Sequence, residues 1–168
     1  TDSLGNFETL LPLGAVVGID VYAKDYFFET KMFKVTPNAK NKLTIPLKKA
    51  AVGEKIDIKN LFFVGNQAIL LKRSLPELPK LLKFMELNDS IKVEIAGHIN
   101  RPNYPPVDEL SWDYKLSVRR AKMVYEFLLK NDIPEERISY KGYGNFHMRF
   151  PRAKSEKEQA QNRRVEIR

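Results

Sequence analysis

Beyond residue 55 the chain alternates between two hydrophobic periods, and this alternation limits the fold more than any other feature. Residues 91–95 carry apolar side chains at every second position, which predicts a half-buried strand. Residues 116–130 carry them at helical spacing, and Asn131 is a typical helix-ending residue. Further strands are predicted at residues 56–63, 138–141 and 164–168.

Two additional helix starts are indicated by the capping-box pattern S-x-x-E, at Ser74–Glu77 and Ser155–Glu158. Pro79 lacks an amide donor and should kink or delay the first turn of the earlier helix. The resulting order is β-α-β-α-β-(α)-β. It predicts an α/β (α+β) domain whose helices pack on one mixed sheet.

The first fifty residues have a different pattern, because short runs rich in β-forming residues alternate there with turn residues. Strands are predicted at residues 15–23, 27–35 and 43–47. We therefore predict two parts, a β-rich N-terminal segment at residues 1–50 and an α/β domain at residues 55–168. Fifty residues are few for an independent sandwich, so the first part is expected to lean on the second or to end a larger module.

The amino-acid composition limits the classes of function and partner that the chain can have. The chain has no cysteine, which excludes disulfides, thiolate catalysis and thiolate metal sites. It has 29 Lys and Arg against 21 Asp and Glu, and this net charge of +8 favours a polyanionic partner such as nucleic acid, anionic lipid or an acidic wall polymer. No stretch approaches the roughly 20 apolar residues of a membrane helix. Because the chain starts at Thr1, we expect a fragment or mature form, with any targeting segment out of view.

Enzyme signatures are absent from the sequence. There is no HExxH, no G-x-S-x-G and no glycine-rich loop ending in Lys-Ser/Thr. His98 and His147 lie far apart and lack a third metal ligand at suitable spacing, so each is interpreted as a loop or packing residue. We expect no catalysis, no cofactor and no metal.

Four motifs follow one another in the predicted α/β part. They are Ala96-Gly97-His98-Ile99-Asn100, Leu116-Ser117-Val118-Arg119-Arg120-Ala121, Lys141-Gly142-Tyr143-Gly144 and Asn162-Arg163-Arg164. In this order, over residues 55–168, they resemble the OmpA-like C-terminal domain, the module that attaches bacterial envelope proteins to peptidoglycan. The first fifty residues resemble the end of a carboxypeptidase-regulatory-like β module.

The resemblance implies a ligand, the diaminopimelate of the peptidoglycan stem peptide, and a location on the periplasmic side of the outer membrane, with envelope proteins as further partners. Guanidinium groups are suited to the ligand's carboxylate and oxygen acceptors to its ammonium. By position in the motifs, Arg120 at a helix start and Arg163 beside the last strand match the family's carboxylate-binding residues. Asn66 occupies the place of a polar loop residue near the ligand.

Two positions depart from the family pattern. The family's aspartate after Gly-His-Thr is Asn100 here, and the family's asparagine three residues before Leu-Ser is Asp113. We interpret this as an exchange that moves the negative charge across the pocket. If Asp113 does not face the site, ammonium binding loses a charge-assisted hydrogen bond of roughly 1.5–3 kcal/mol, which is about tenfold or more in affinity.

Three alternatives remain open at this stage. The loop at residues 101–114 is either a lid whose aromatic side chains cover the stem peptide or a sugar, or a proline-stiffened loop whose Trp112 and Tyr114 pack on the next helix. The fold could also serve as a protein–protein scaffold without wall binding, which Asn100 permits. Nucleic-acid binding ranks last. It rests on eight basic against three acidic residues over 141–168.

Overall fold

The computed structural model describes residues 1–37, 43–58 and 61–168 of the chain. These residues form two compact units, Thr1–Lys49 and Ala50–Arg168. Each unit is described by itself.

The first unit contains one antiparallel hairpin. Strand β1 (Val16–Val21) pairs with β2 (Glu29–Lys34), and Val16 lies opposite Lys34. Both strands match predictions, but the prediction of a third strand at residues 43–47 is wrong, since these residues lie outside any strand. Pro46 has no amide hydrogen to give to a ladder, which accounts for the failure. Residues 38–42 lie outside the described part.

The second unit is built on a four-stranded mixed sheet. Its strands are β3 (Ile56–Asp57), β4 (Val93–Gly97), β5 (Ile138–Gly142) and β6 (Val165–Ile167), in the order β3-β6-β4-β5. β4 runs parallel to β5, whereas β6 is antiparallel to both β3 and β4. The predicted single mixed sheet is confirmed.

Three helices complete the unit: α1 (Glu77–Leu87), α2 (Trp112–Lys130) and α3 (Glu156–Asn162). With short 3-10 turns at Lys72–Ser74 and Glu135–Arg137, they confirm the predicted element order. α2 packs on β4 and β5, and α1 packs against α2. The core between helices and sheet is formed by buried apolar side chains, among them Leu81, Phe84, Met85, Ile95, Ala121, Val124, Leu128, Val165 and Ile167.

Two glycines set the distance between α2 and the sheet. A Cβ atom on Gly97 would lie 2.0 Å from the backbone oxygen of Ser117, and one on Gly142 would lie 2.5 Å from Ser117 Oγ. The hydroxyl of Ser117 also accepts a hydrogen bond from the Gly144 amide at 3.1 Å. The glycines of the first and third motifs therefore allow the helix backbone to lie directly on the strands.

The two predicted capping boxes have opposite outcomes. Ser155 confirms its prediction, because its Oγ accepts from the Glu158 amide at 3.2 Å while Glu158 accepts from the Ser155 amide at 3.0 Å. The Ser74 prediction is wrong: its Oγ instead accepts from the amide of Phe62 at 2.7 Å, and α1 begins only at Glu77. Pro79 then falls in the first turn, where amides have no partner within the helix.

Two further boundaries differ from the predicted ones. α2 begins four residues earlier than predicted, because Ser111 caps it by accepting from the Tyr114 amide at 3.2 Å. The loop after β4 therefore ends at Ser111. Of the predicted strand at residues 56–63, Ile56 and Asp57 form β3. Phe63 contributes only an isolated bridge to Leu70, and residues 59–60 lie outside the described part.

Candidate functional site

The most unusual side chain of the second unit is Arg120 on α2, which is only 2% exposed. Its Nε donates a hydrogen bond to the backbone oxygen of Gln67 at 3.2 Å, and its guanidinium carbon lies 4.9 Å from the centre of the Phe63 ring. It pairs with no carboxylate among the residues that the structure describes. A buried arginine is ordinarily paired, so this one is electrostatically incomplete.

The neighbouring positive charges increase the need of Arg120 for a counter-charge. Burial, and after it the positive charges of Arg163 and Arg119, lower the pKa of Arg120 to about 10. At neutral pH the side chain therefore remains protonated, although its surroundings oppose the charge. A bound anion would supply the counter-charge that the described residues lack.

Arg163 reaches this neighbourhood from the end of α3. It is the residue that caps α3, two positions before β6 begins. Its guanidinium forms an ion pair with Glu156, whose side chain is 78% exposed. The next residue, Arg164, turns elsewhere, to Glu166 at 3.1 Å and to the backbone oxygen of His147. Of the two adjacent arginines, Arg163 is thus the one whose charge acts on Arg120.

Asn100, in the loop that follows β4, is joined to α3 by two side-chain hydrogen bonds. Its Oδ1 accepts from Asn162 Nδ2 at 2.9 Å, and its Nδ2 donates to Gln159 Oε1 at 3.3 Å. Asn162 is fully buried and also binds the backbone of Phe150 through its amide and its oxygen, at 2.8 and 2.9 Å. Asn100 is therefore fixed next to the residue that precedes Arg163.

Asp113 and Asn66 complete the predicted set. Asp113 lies in the first turn of α2, and its Oδ2 forms an ion pair with Arg101. Arg101 is the residue that follows Asn100 in the sequence. Asn66 is exposed in a turn with a left-handed φ of 54°, a conformation that asparagine tolerates. The following residue, Gln67, is the one whose carbonyl oxygen binds Arg120.

The five predicted residues are thus related by the charge effect of Arg163 on Arg120, by hydrogen bonds of Asn100 and by sequence neighbours of Asn66 and Asn100, although Asp113 is engaged with Arg101. Sequence reasoning did not single out the supporting residues Gln67, Arg119, Gln159 and Asn162. Asn162 and Arg119 carried a signal, as parts of the Asn-Arg-Arg and Leu-Ser-x-x-Arg-Ala motifs. Gln67 and Gln159 are recognisable only from the folded chain, through their hydrogen bonds to Arg120 and Asn100.

A second polar cluster lies around His98. This buried imidazole has its Nε2 3.1 Å from Glu166 Oε1 and its ring 5.5 Å from that of Tyr143. Burial opposes ionisation of Glu166. Hydrogen bonds from His98 and Arg168 and the charge of Arg164 outweigh it, so the pKa of Glu166 lies well below its usual value. Glu166 is shared by His98, Arg164 and Arg168, and the cluster therefore ties β6 to the residues that follow β4 and β5.

The described residues include no group of three His, Asp or Glu side chains arranged to hold a metal ion. Nor do they include a helix long and apolar enough to cross a membrane.

The mixed sheet with its packed helices, and the buried arginine of α2 without a carboxylate partner among the described residues, define a small α/β domain with a candidate anion site. The chain belongs to the OmpA family, whose model matches residues 62–164. This result confirms the resemblance found in the motifs. OmpA-like domains are structural modules rather than enzymes.

Two curated relatives show the extent of the similarity. The chain is 30% identical over 112 residues to the outer membrane porin F of Pseudomonas fluorescens, a match to 67% of this chain and 32% of that protein. It is 32% identical over 114 residues to a Gloeobacter violaceus protein named photosystem I P700 chlorophyll a apoprotein A2, a match to 65% of this chain and 12% of that protein. The chain thus spans less than a third of the length of either relative.

Solved structures share the fold. The cell wall anchor of the type VI secretion system from Pseudomonas aeruginosa is 26% identical with a TM-score of 0.51, over 67% of this chain and 76% of that one. The periplasmic domain of Helicobacter pylori MotB is 21% identical with a TM-score of 0.54, over 67% of this chain and 71% of that one. At 21% identity, the MotB match shows similarity of the fold alone.

Proposed function

We propose that this chain binds the diaminopimelate of peptidoglycan stem peptides non-covalently, and that it anchors an outer-membrane or periplasmic assembly to the cell wall. The observation that carries the proposal is Arg120, a guanidinium that is 2% exposed and has no carboxylate partner among the described residues. A free carboxylate from the ligand fits this deficit, because guanidinium and carboxylate form paired, charge-assisted hydrogen bonds.

Arg163 supplies the second positive charge. Its present partner, Glu156, is 78% exposed, and an ion pair of this kind contributes little to stability. Arg163 can therefore exchange Glu156 for a ligand carboxylate at small cost. Burial is the main cause of the lowered pKa of Arg120, and repulsion by Arg163 adds to it; an anion that binds next to both arginines relieves this repulsion.

The ammonium group of the same ligand requires oxygen acceptors. Asn100 Oδ1 accepts one hydrogen bond, from Asn162, and an amide oxygen has a second lone pair. Asp113 contacts Arg101 through Oδ2, which leaves Oδ1 as the charged acceptor. We assign the ammonium to these two residues, and we assign Asn66 to the rim of the site because it adjoins the loop carbonyl that holds Arg120.

Similar proteins support the anchoring role. They include a porin of the outer membrane, a protein described as a cell wall anchor and a periplasmic domain. Each is linked by its name to the envelope between outer membrane and wall. The net charge of +8 also favours the anionic wall over neutral partners at long range.

Co-sedimentation with purified sacculi tests the proposal, with Arg120→Ala compared with the parent. Lys122→Ala is the matched control, since it removes one positive charge from an exposed position of the same helix. We expect Arg120→Ala to abolish sedimentation, and far-UV circular dichroism checks that the variant is folded, since it also loses the hydrogen bond to Gln67 and the contact with the Phe63 ring. The control should bind like the parent. If Arg120→Ala still sediments with sacculi, or if the parent instead captures a protein partner or DNA, the proposal is wrong.

Asp113→Asn tests the ammonium site separately. Loss of a charge-assisted hydrogen bond predicts roughly tenfold weaker binding of a diaminopimelate-containing tripeptide in calorimetry. Unchanged affinity in Asp113→Asn, together with lost affinity in Arg120→Ala, would remove Asp113 from the site and leave the carboxylate assignment intact.

A further inference from the structure

The loop between β4 and α2 begins with an arginine whose charge lies at the place that we assign to the ligand's ammonium group. Arg101 follows Asn100 directly, and its guanidinium forms an ion pair with Oδ2 of Asp113. Asn100 and Asp113 are the two residues to which the proposed function gives the ammonium. The chain therefore holds a cation of its own on the charged member of this pair.

Helix α2 places Asp113 within reach of the same ligand as Arg120. The two residues are seven positions apart, so they lie on one face of the helix, about 10 Å apart along its axis. Long helical side chains lean toward the helix N-terminus. Arg119 shows this reach, since its guanidinium carbon lies 5.5 Å from the ring centre of Trp112, seven residues earlier. A small ligand bound at Arg120 therefore lies close to the turn that carries Asp113.

The ion pair of Arg101 and Asp113 is open to exchange. Its side chains are 41% and 28% exposed, and an ion pair as exposed as this contributes little to stability. An ammonium group on Oδ1 of Asp113 would share one negative charge with the guanidinium on Oδ2. The two cations would repel each other at that short distance, so binding of the ammonium favours the departure of Arg101.

A second carboxylate is available to Arg101 on its own side of the loop. Arg101, Tyr104 and Asp108 line one open cavity, where the guanidinium carbon of Arg101 lies 4.8 Å from the centre of the Tyr104 ring. Asp108 accepts from the Leu110 amide at 2.6 Å through Oδ1, which leaves Oδ2 for a further donor. The guanidinium therefore has two alternative partners, Asp113 on the helix and Asp108 in the cavity.

The backbone of the loop is fixed independently of this arginine. Asn145, which is 4% exposed, accepts from the Val107 amide at 2.8 Å and donates to the Pro105 carbonyl oxygen at 2.9 Å. At the other end of the loop, Tyr114 packs on a buried cluster that includes Val107. A change of partner by Arg101 thus requires a new side-chain rotamer and no rearrangement of the loop.

We infer that Arg101 is an internal competitor for the ammonium group of the ligand. Its guanidinium neutralises Asp113 until an ammonium group displaces it toward Asp108. Arg101 therefore sets how strongly the site prefers a ligand with an ammonium over one with a carboxylate alone. This inference rests on the proposed function, because it requires the diamino acid at Arg120. It goes further because it assigns ligand specificity to a residue outside the binding set.

Two tripeptides test the competition by calorimetry. The first has a free amino group only on its diaminopimelate, and in the second that group is acetylated as well. Arg101→Gln should tighten binding of the first by roughly three- to tenfold and leave the second nearly unchanged. Arg101→Lys retains a cation and should bind both tripeptides nearly as the parent does. Arg152→Gln is the matched control, since it makes the same charge change at an exposed position outside the loop.

The displaced position of Arg101 is tested separately. Asp108→Asn removes the second partner, so it should weaken the first tripeptide by roughly two- to threefold and leave the acetylated one unchanged. In nuclear magnetic resonance spectra of the parent, the Nε–Hε signal of Arg101 can be assigned from its loss in Arg101→Gln. This signal should shift when the first tripeptide is added and stay in place with the acetylated one.

The outcomes separate this inference from the proposed function. Equal or weaker binding of the first tripeptide by a folded Arg101→Gln, or an Arg101 signal that does not respond to it, would overturn the competition and leave the peptide site standing. Circular dichroism checks the fold of the variant, and the signal of Arg101 in the parent decides the question if the variant is unfolded. Failure of the parent to bind either tripeptide would overturn both proposals.

Discussion

Gly97→Ala should destabilise the second unit. The added Cβ would lie 2.0 Å from the backbone oxygen of Ser117, whereas real Cβ atoms essentially never approach closer than 3.0 Å. Helix α2 must therefore move away from β4 by about 1 Å or more. Ala121 offers no room for a sideways escape, because its Cβ would be only 3.3 Å away.

The cost can be derived from this displacement. Inserting a methyl group into a tightly packed core costs about 1–3 kcal/mol, and here the obstacle is helix backbone rather than a side chain that can turn. Taking about 2 kcal/mol, we expect the melting temperature to fall by roughly 6–10 °C. Urea unfolding followed by far-UV circular dichroism should show a lower midpoint with an unchanged slope.

Gly65→Ala is the matched control. A Cβ at Gly65 would meet no atom within 4 Å, and its backbone is not left-handed. This substitution should leave the unfolding free energy unchanged or raise it slightly, because alanine has less freedom in the unfolded chain. If Gly97→Ala were as stable as Gly65→Ala, the close approach of α2 to β4 would be wrong, and with it the explanation of the glycine in the first motif.

Three more predictions follow from the second unit. Ser155→Ala removes the capping hydroxyl of α3 and should lower the unfolding free energy by about 1 kcal/mol in urea titrations; no change would mean that α3 needs no cap. Glu166→Gln leaves Arg164 and Arg168 without their shared carboxylate and should cost about 3 kcal/mol, measured in the same way; a loss below 1 kcal/mol would contradict the pairing. Burial foremost lowers the pKa of His98, so the unfolded chain binds more protons just below about pH 6.5, and stability should fall as the pH drops through that range. Melting temperatures at about pH 7.5 and 5.5 should show a smaller drop in His98→Gln, and an equal drop would exclude His98 as the source.

Local sequence patterns predicted the helices and strands that depend mainly on their own residues. The strand β4 and the helix α2 follow from hydrophobic periods of two and of three to four residues. Ser74 and Ser155 have the same S-x-x-E pattern and yet different outcomes. Ser155 finds its partner within its own helix, whereas Ser74 is taken by the amide of Phe62, twelve residues earlier. A pattern cannot predict which tertiary partner competes for a side chain.

The candidate site around Arg120 also depends on tertiary contacts that local sequence patterns do not predict. The motif predicts a binding role for Arg120, but the burial of this side chain without a counter-charge depends on the fold of the loop that carries Gln67, 53 residues away. The hydrogen bond between Asn100 and Asn162 spans 62 residues, and no sequence spacing signals it. The pairing of Asp113 with Arg101 has no sequence signal either, because the two residues are twelve positions apart and lie on either side of a loop.

The glycines of the sheet and the arginine of the helix belong to one arrangement. Because Gly97 and Gly142 let α2 lie directly on the strands, the first turns of α2 are held close to the loops at the end of β4 and β5. Arg120 follows Ser117, the contact residue, by less than one helical turn, so the same approach that packs the helix also buries the guanidinium. The unit is therefore less stable than a similar fold with an apolar residue at this position. Under the proposed function, a carboxylate ligand bound at Arg120 returns that stability. At a free ligand concentration of about 100 times Kd the gain is about 2.7 kcal/mol, comparable to the loss expected from Gly97→Ala.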